Sequence, residues 1–260
     1  MKFFQLRNLR PAAWRGLAAL AVATALSLGW HPAALSQVLL EPVVLELSQR
    51  QRIAVLQVSL SERAAAPVRL QAELLRWTQS TTGESVTEPT DELLISPPIV
   101  DLKPGQRQVF RVAIRAPKPS QNEVAYRLIL EDISPDPVDA AGKKIPGLAI
   151  RMRYDLPVMV APSVAVVQSL RFSSCAATAG VSHACLRVRN AGNKRVRMQA
   201  LQLAGDGWQQ SLKLGDTGLL LAGGAREWQV PLQPGGAGKV GDVRATIGRG
   251  EILKVAPDAP

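Results

Sequence analysis

Aromatic residues make up only 4% of this 260-residue chain, and it has two cysteines and two histidines. Each shortage excludes a class of chemistry. Two histidines cannot build a multi-histidine zinc centre, and with no G-x-S-x-G elbow there is no frame for Ser-His-Asp or Cys-His nucleophilic catalysis. His31 falls in the N-terminal leader, so His183 stands alone and reads as a loop histidine beside Cys185. The phosphate-cradling G-x-x-x-x-G-K-[ST] and G-x-G-x-x-G patterns are missing. Glu131-Asp132 is the one acidic pair on a strand, and strand neighbours point to opposite faces, so the two cannot act on one bond. The chain reads as non-enzymatic, with no metal or other cofactor implied. It also lacks any stretch that sustains helical i, i+3, i+4, i+7 spacing, and after the leader no apolar run reaches the ~20 residues of a membrane span. Stable membrane insertion is not expected.

What the chain does have is 47% apolar residues, 20% charged residues, 20 glycines and 19 prolines. That composition fits a soluble β protein with a core of Val, Leu, Ile and Ala and many turns. The first 36 residues read as a cleavable signal peptide. Lys2, Arg7, Arg10 and Arg15 form a basic start, Gly16 to Trp30 is an apolar run, and Ala34-Leu35-Ser36 places small residues at a cleavage site. The alternative, an uncleaved anchor, needs a longer apolar run. The leader holds four basic residues and no acid, so its removal lowers the formal charge of +10 by four, to +6.

The remaining surplus clusters at Arg187, Arg189, Lys194, Arg195 and Arg197, which reads as a solvated strand face or an attractor for an acidic partner. Export argues against nucleic acid. Cys175 and Cys185 both belong to the exported part, where a ten-residue separation suits a disulfide closing a local hairpin better than two free thiols.

Short strands follow one another along the exported chain. Val38 to Leu47 is interrupted by Pro42, which cannot donate to a ladder. Ile53 to Leu60, then Val68 to Trp77 with its alternation of apolar and polar residues, continue the series; Thr78 to Glu92 is polar and reads as loop. Leu93 to Leu102 is broken by Pro97-Pro98, and Gln106 to Ile114 resumes. In Val124 to Ile133, Val124, Tyr126, Leu128 and Leu130 share one face while Ala125, Arg127, Ile129 and Glu131 share the other. Ser134 to Pro146 reads as a loop. From Gly147 to Pro162, Leu148, Ile150, Met152, Tyr154, Leu156, Val158 and Val160 alternate with other residues. Extended, that segment would reach about 50 Å against the usual ~17–20 Å of a strand, so part of it should overhang its own sheet.

Seven strands in this first part match an immunoglobulin-like sandwich at residues 37–160, followed by a linker at 161–164 and a second β-sandwich at 165–260. Strands expected in the second part are Val164–Val167, Ala184–Val188, Val196–Leu203, Leu219–Leu221, Trp228–Leu232, Val243–Ile247 and Ile252–Val255. Asn190-Ala191-Gly192-Asn193 should supply a turn.

The order of these features resembles the PapD-like periplasmic pilus chaperones. The residues that carry the resemblance are the proline-interrupted first strand, Leu74-Leu75-Arg76-Trp77, Leu94-Ile95-Ser96-Pro97-Pro98, Tyr126-Arg127-Leu128 with Glu131-Asp132-Ile133, and the long alternating strand ending at Pro162. Tyr126 to Leu130 and Tyr154 to Val158 look most like the archaic, Csu-type branch. The resemblance covers residues 38 to 162 and extends to the remainder only in size and β character. It implies an all-β fold of two immunoglobulin-like domains in a boomerang arrangement, with pilin subunits and an outer-membrane usher as partners in the periplasm. It further implies a last first-domain strand lent to the subunit, with Leu148, Ile150 and Met152 as the donor side chains. In the better-known branch two cleft cations anchor the pilin's terminal carboxylate; here those positions fall at Val43 and Pro157, which carry no charge. Arg127 is the first candidate for the anchor, with Arg151 or Arg153 behind it. The rival reading is a fimbrial subunit or surface adhesin built from sandwich domains, but the exported chain enters a strand almost at once instead of carrying a free apolar extension.

Overall fold

A computed structural model of the chain describes residues 38–80, 82–116, 118–136, 138, 141, 143, 150–175, 183–205, 207–231 and 240–258. The expected signal peptide lies outside the described residues. The described residues are almost wholly β, with one short 3₁₀ turn at Gly215–Gly218. No helix among them is long and apolar enough to cross a membrane, which says nothing of strands.

The first part forms two sheets. One has β1 (Val38–Glu41), β3 (Ile53–Leu60), β8 (Arg107–Ile114) and β6 (Leu93–Ser96) in that order. The other has β2 (Leu45–Leu47), β10 (Arg153–Val160), β9 (Val124–Asp132), β4 (Val68–Gln79) and β5 (Ser85–Pro89) in that order, with β7 (Ile99–Leu102) also on β4. The first expected strand is therefore two. Pro42 has no N–H to donate, so the ladder to β3 stops at Glu41 and the chain crosses to β10. Pro97 likewise divides the expected Leu93 to Leu102 segment into β6 and β7. Alternate residues of the central strands turn inward, and Leu56, Val58, Leu70, Phe110, Val112, Leu128, Leu130 and Val158 are almost completely buried between the sheets. At about 1.5–3 kcal/mol for each large side chain, this stripe holds the sandwich together.

The second part pairs β14 (Trp208–Lys213), β13 (Val196–Gly205), β17 (Asp242–Ile247), β18 (Glu251–Pro257), β11 (Leu170–Ser174), β12 (His183–Asn190) and β16 (Ala225–Pro231) in that order, with β15 (Leu219–Leu220) on β13. They enclose a second core of Leu186, Val188, Met198, Leu201, Leu203, Leu220, Val230 and Val243. The turn after β12 is built around buried Asn190, whose side-chain amide donates to the carbonyls of Lys194 and Leu221 and whose Oδ1 accepts from Gly192 N–H. Gly192 has no room for a side chain, since a Cβ there would stand 2.3 Å from the Val167 carbonyl oxygen.

Val164–Val167 is not a strand. Its polar groups bond instead to Asn193, whose amide donates to the Ala165 carbonyl and whose Oδ1 accepts from Val167 N–H. β5, β11 and β14 were not expected. β5 is exposed at every residue and β14 alternates polar and half-buried positions, so neither shows an apolar period.

Cys175 and Cys185 form a disulfide with Cα atoms 4.9 Å apart, joining the end of β11 to β12. Replacing both by serine is expected to lower stability by about 2–3 kcal/mol, as the small loop it closes allows. Urea unfolding of the two proteins measures the difference, and superimposable curves would contradict it.

Candidate functional site

The site is built on β10 and its neighbour β9. Tyr154, Leu156, Val158 and Val160 turn from β10 into the sandwich core. Met152 and Ile150 continue the same parity but have no core to enter, and are 50% and 71% exposed. β10 pairs with β9 over its full length, whereas β2 covers its other edge only from Val158 to Val160. From Arg153 to Pro157 that edge meets no strand among the described residues. The expected sixteen-residue strand is thus eight residues long, because a strand needs a partner and β9 ends at Asp132. The pairing reaches one step further, where Asp132 N–H donates to the Met152 carbonyl at 2.9 Å. Leu148 lies outside the described residues.

The three candidate anchor cations are not brought together. Arg127 projects from the outer face of β9, directly across from Pro157 in register. Its guanidinium carbon sits 3.5 Å from the centroid of the Trp77 ring, and NH1 is 3.3 Å from Asp155 Oδ1. Burial pulls its pKa below the ordinary arginine value, while the Asp155 carboxylate opposes that shift. Arg153 stands opposite Glu131, four residues from Pro157 and so roughly 13 Å along the strand. Arg151 is tied to the segment after β9, donating from Nε to the Ser134 carbonyl at 3.0 Å and pairing with Asp136 at 2.5 Å. Arg127 alone therefore lies at the Pro157 end.

There the structure adds residues that sequence reasoning placed on a solvated face. A cleft of about 450 Å³ is lined by Val44, Pro157 and Met159 together with Arg127, Lys194 and Arg197. Arg195, beside them, reaches back to the first sandwich. Its backbone N–H and NH1 donate to the two carboxylate oxygens of Glu123, at 3.0 and 2.5 Å, and NH2 donates to Glu46 at 2.6 Å. The Glu123 side chain is only 2% exposed. Arg195 holds the Glu46 carboxyl below its ordinary range. A second clasp is Gln79, whose amide donates to the Leu219 carbonyl at 2.9 Å and whose Oε1 accepts from Leu221 N–H at 2.8 Å. Trp77, Ala125, Met159 and Leu221 make the apolar contact between them. The signal that could have located these groups was the run Lys194-Arg195-x-Arg197 directly after a turn.

Chemically, the arrangement offers an unpaired strand edge, two apolar side chains held out in water, and positive charge at the far end of the same strand. Among the described residues it holds no nucleophile with an adjacent base. It suits a partner chain that adds as a strand and carries negative charge near one end.

Residues 37–165 match the family model described as pili and flagellar-assembly chaperone, PapD N-terminal domain. No curated protein sequence matches the chain. Among solved structures, it is similar to a chain in the CsuC–CsuE chaperone–tip adhesion subunit pre-assembly complex from archaic chaperone-usher Csu pili of Acinetobacter baumannii, at 15% identity and a TM-score of 0.64, covering 86% of this chain and 100% of that one. It is also similar to a chain in the complex of the Salmonella enterica SafA pilin with the SafB chaperone, at 14% identity and a TM-score of 0.56, covering 86% and 98%. At these identities the likeness is one of fold, two β-sandwich domains.

Proposed function

Because the chain belongs, through residues 37–165, to the pili and flagellar-assembly chaperone family, we propose that it is a periplasmic chaperone. It stabilises unfinished fimbrial subunits by adding its own strand to them and delivers them to an outer-membrane usher. The division that goes with this reading is a signal peptide at 1–36, a subunit-binding domain at 37–160, a linker at 161–164 and a second domain at 165–260. The observation that carries it is the β10 edge. Its open stretch from Arg153 to Pro157 can give main-chain hydrogen bonds to a subunit, while Ile150 and Met152, with Leu148 beyond them, can fill a groove left by a missing strand. Purifying the exported protein from periplasm tests this directly. A stoichiometric small partner with an incomplete sandwich supports it; recovery of copies joined to one another through their own N-termini would make it a fimbrial subunit instead.

Arg127 is the proposed anchor for the subunit's terminal carboxylate. Its fork can hold a carboxylate with two parallel hydrogen bonds, and a fixed chain end sets the register in which the donor strand pairs. A slip of one residue would turn every donor side chain away from the groove. Arg127→Ala is expected to weaken subunit capture by about 2–5 kcal/mol, the range for truncating one member of a desolvated charge pair. The free protein should lose only about 1 kcal/mol of stability, from the Trp77 contact. Capture yields of Arg127→Ala, Arg151→Ala and Arg153→Ala, compared side by side, check the placement; normal capture by the first and loss in either of the others would move the anchor to the donor strand.

A further inference from the structure

We propose that Lys194 and Arg197 form a second binding surface for negative charge on the bound subunit, beside the place where Arg127 takes its terminal carboxylate. This rests on the chaperone reading above. The argument is a census of charge around one cleft. Arg195 is committed to Glu123 and Glu46, through three hydrogen bonds of 3.0 Å or less. Arg127 is partly committed, to Asp155 and the Trp77 ring. Among the described residues Arg197 has only Asp216, 3.9 Å away on a fully exposed side chain, a contact that contributes little in water. Lys194 makes no ion pair among the described residues, although it is close enough to Glu46 to help hold that carboxyl in its ionised form.

Uncommitted positive charge in the cleft therefore sits on the second domain, at the turn after β12 and the start of β13, and not on the donor strand. One carboxylate does not neutralise it. If the subunit's chain end reaches Arg127, whose five N–H donors can serve both that carboxylate and Asp155, then Lys194 and Arg197 still face the cleft with only Glu46, already held by Arg195, and the exposed Asp216 near them. The apolar floor of Val44, Pro157 and Met159 strengthens whatever ion pair forms over it. The fitting partner is a subunit segment that brings its terminal carboxylate together with at least one aspartate or glutamate side chain. Such a surface also steers the approach of the subunit, which makes capture depend on salt. Both residues sit on a turn and strand anchored by buried Asn190 and Met198, so their side chains can change without disturbing the second core.

The test is a competition in one periplasm. The subunit that co-purifies with the wild-type protein is co-expressed with equal amounts of wild type and the Lys194→Glu/Arg197→Glu variant, carrying different tags. Wild type is expected to hold about tenfold or more of the subunit, as like charges meeting across an interface demand. Appending two lysines to the subunit's carboxyl terminus should reverse the preference, which a merely structural defect would not do. The neutral Lys194→Gln/Arg197→Gln variant, with an unchanged melting temperature, should fall between the two and show a flatter salt dependence. Equal occupancy with both forms of the subunit would overturn the inference. If Arg127→Ala and the donor-strand variants also captured normally, the chaperone reading itself would fail; if they lost the subunit while the charge reversal did not, only the second surface would.

Discussion

Replacing Leu148, Ile150 and Met152 together by serine is expected to abolish recovery of the fimbrial subunit while the free protein melts at an unchanged temperature. The two halves of that expectation come from the same observation. Ile150 and Met152 are half or more exposed, so in the free protein substituting these two removes little buried contact and costs little. In a complex they would be buried in the subunit's groove, each contributing about 1.5–3 kcal/mol, and the losses from three such residues exceed what the main-chain pairing of one strand can make good. Tyr154 and Leu156 supply the internal control, because they share the same parity but enter this protein's own core. Leu156→Ser should unfold or strongly destabilise the chain, leaving capture unmeasurable for a different reason. Periplasmic pull-down paired with thermal melting separates the two cases. Unchanged subunit yield in the triple variant would remove Leu148, Ile150 and Met152 from the donor role.

Removing the side chain of Arg195 should also lower stability substantially. Arg195→Ala leaves Glu123 buried with no counter-charge, and uncompensated buried charges cost about 3–5 kcal/mol. Glu46, well exposed, returns to water and contributes little of this. The loss should be most visible as reduced cooperativity between the two sandwiches in urea unfolding, since Glu123 and Arg195 belong to different ones. Arg195→Met combined with Glu123→Leu should recover most of the stability, because replacing both members by apolar groups removes the buried charge altogether. A single variant within about 0.5 kcal/mol of wild type would show that water reaches Glu123 in solution.

Much of the first domain was legible from residue order. Strands such as β3 and most of β4 bury one face, and a period of two in apolar residues is the direct imprint of that burial on a sequence. Proline positions marked where the ladders to β3 and β4 break. The exposed parity of Ile150 and Met152 was also visible in outline, as a strand too long for its sheet. β5 escaped because all its residues are exposed, β11 because its apolar alternation is only Leu170 and Phe172, and Val164–Val167 misled because its valines look like a strand but are held by Asn193 side-chain bonds.

Composition and periodicity were enough for the β class and for the alternation that carries Ile150 and Met152 beyond the sheet, because these depend on residue type and on spacing along one strand. The distribution of charge in the cleft depended on the fold. Arg127, Lys194, Arg195 and Arg197 come from strands and turns about seventy positions apart, and their neighbours Asp155, Glu46 and Glu123 come from three further places in the chain. Whether a cation is free to bind is a matter of which acid lies within a few ångströms of it, since Coulomb attraction and hydrogen bonding fall off over that distance. Packing of the second domain against β2 and β9 engages Arg195 and leaves Lys194 uncommitted, a difference between near neighbours in sequence that only tertiary contact creates.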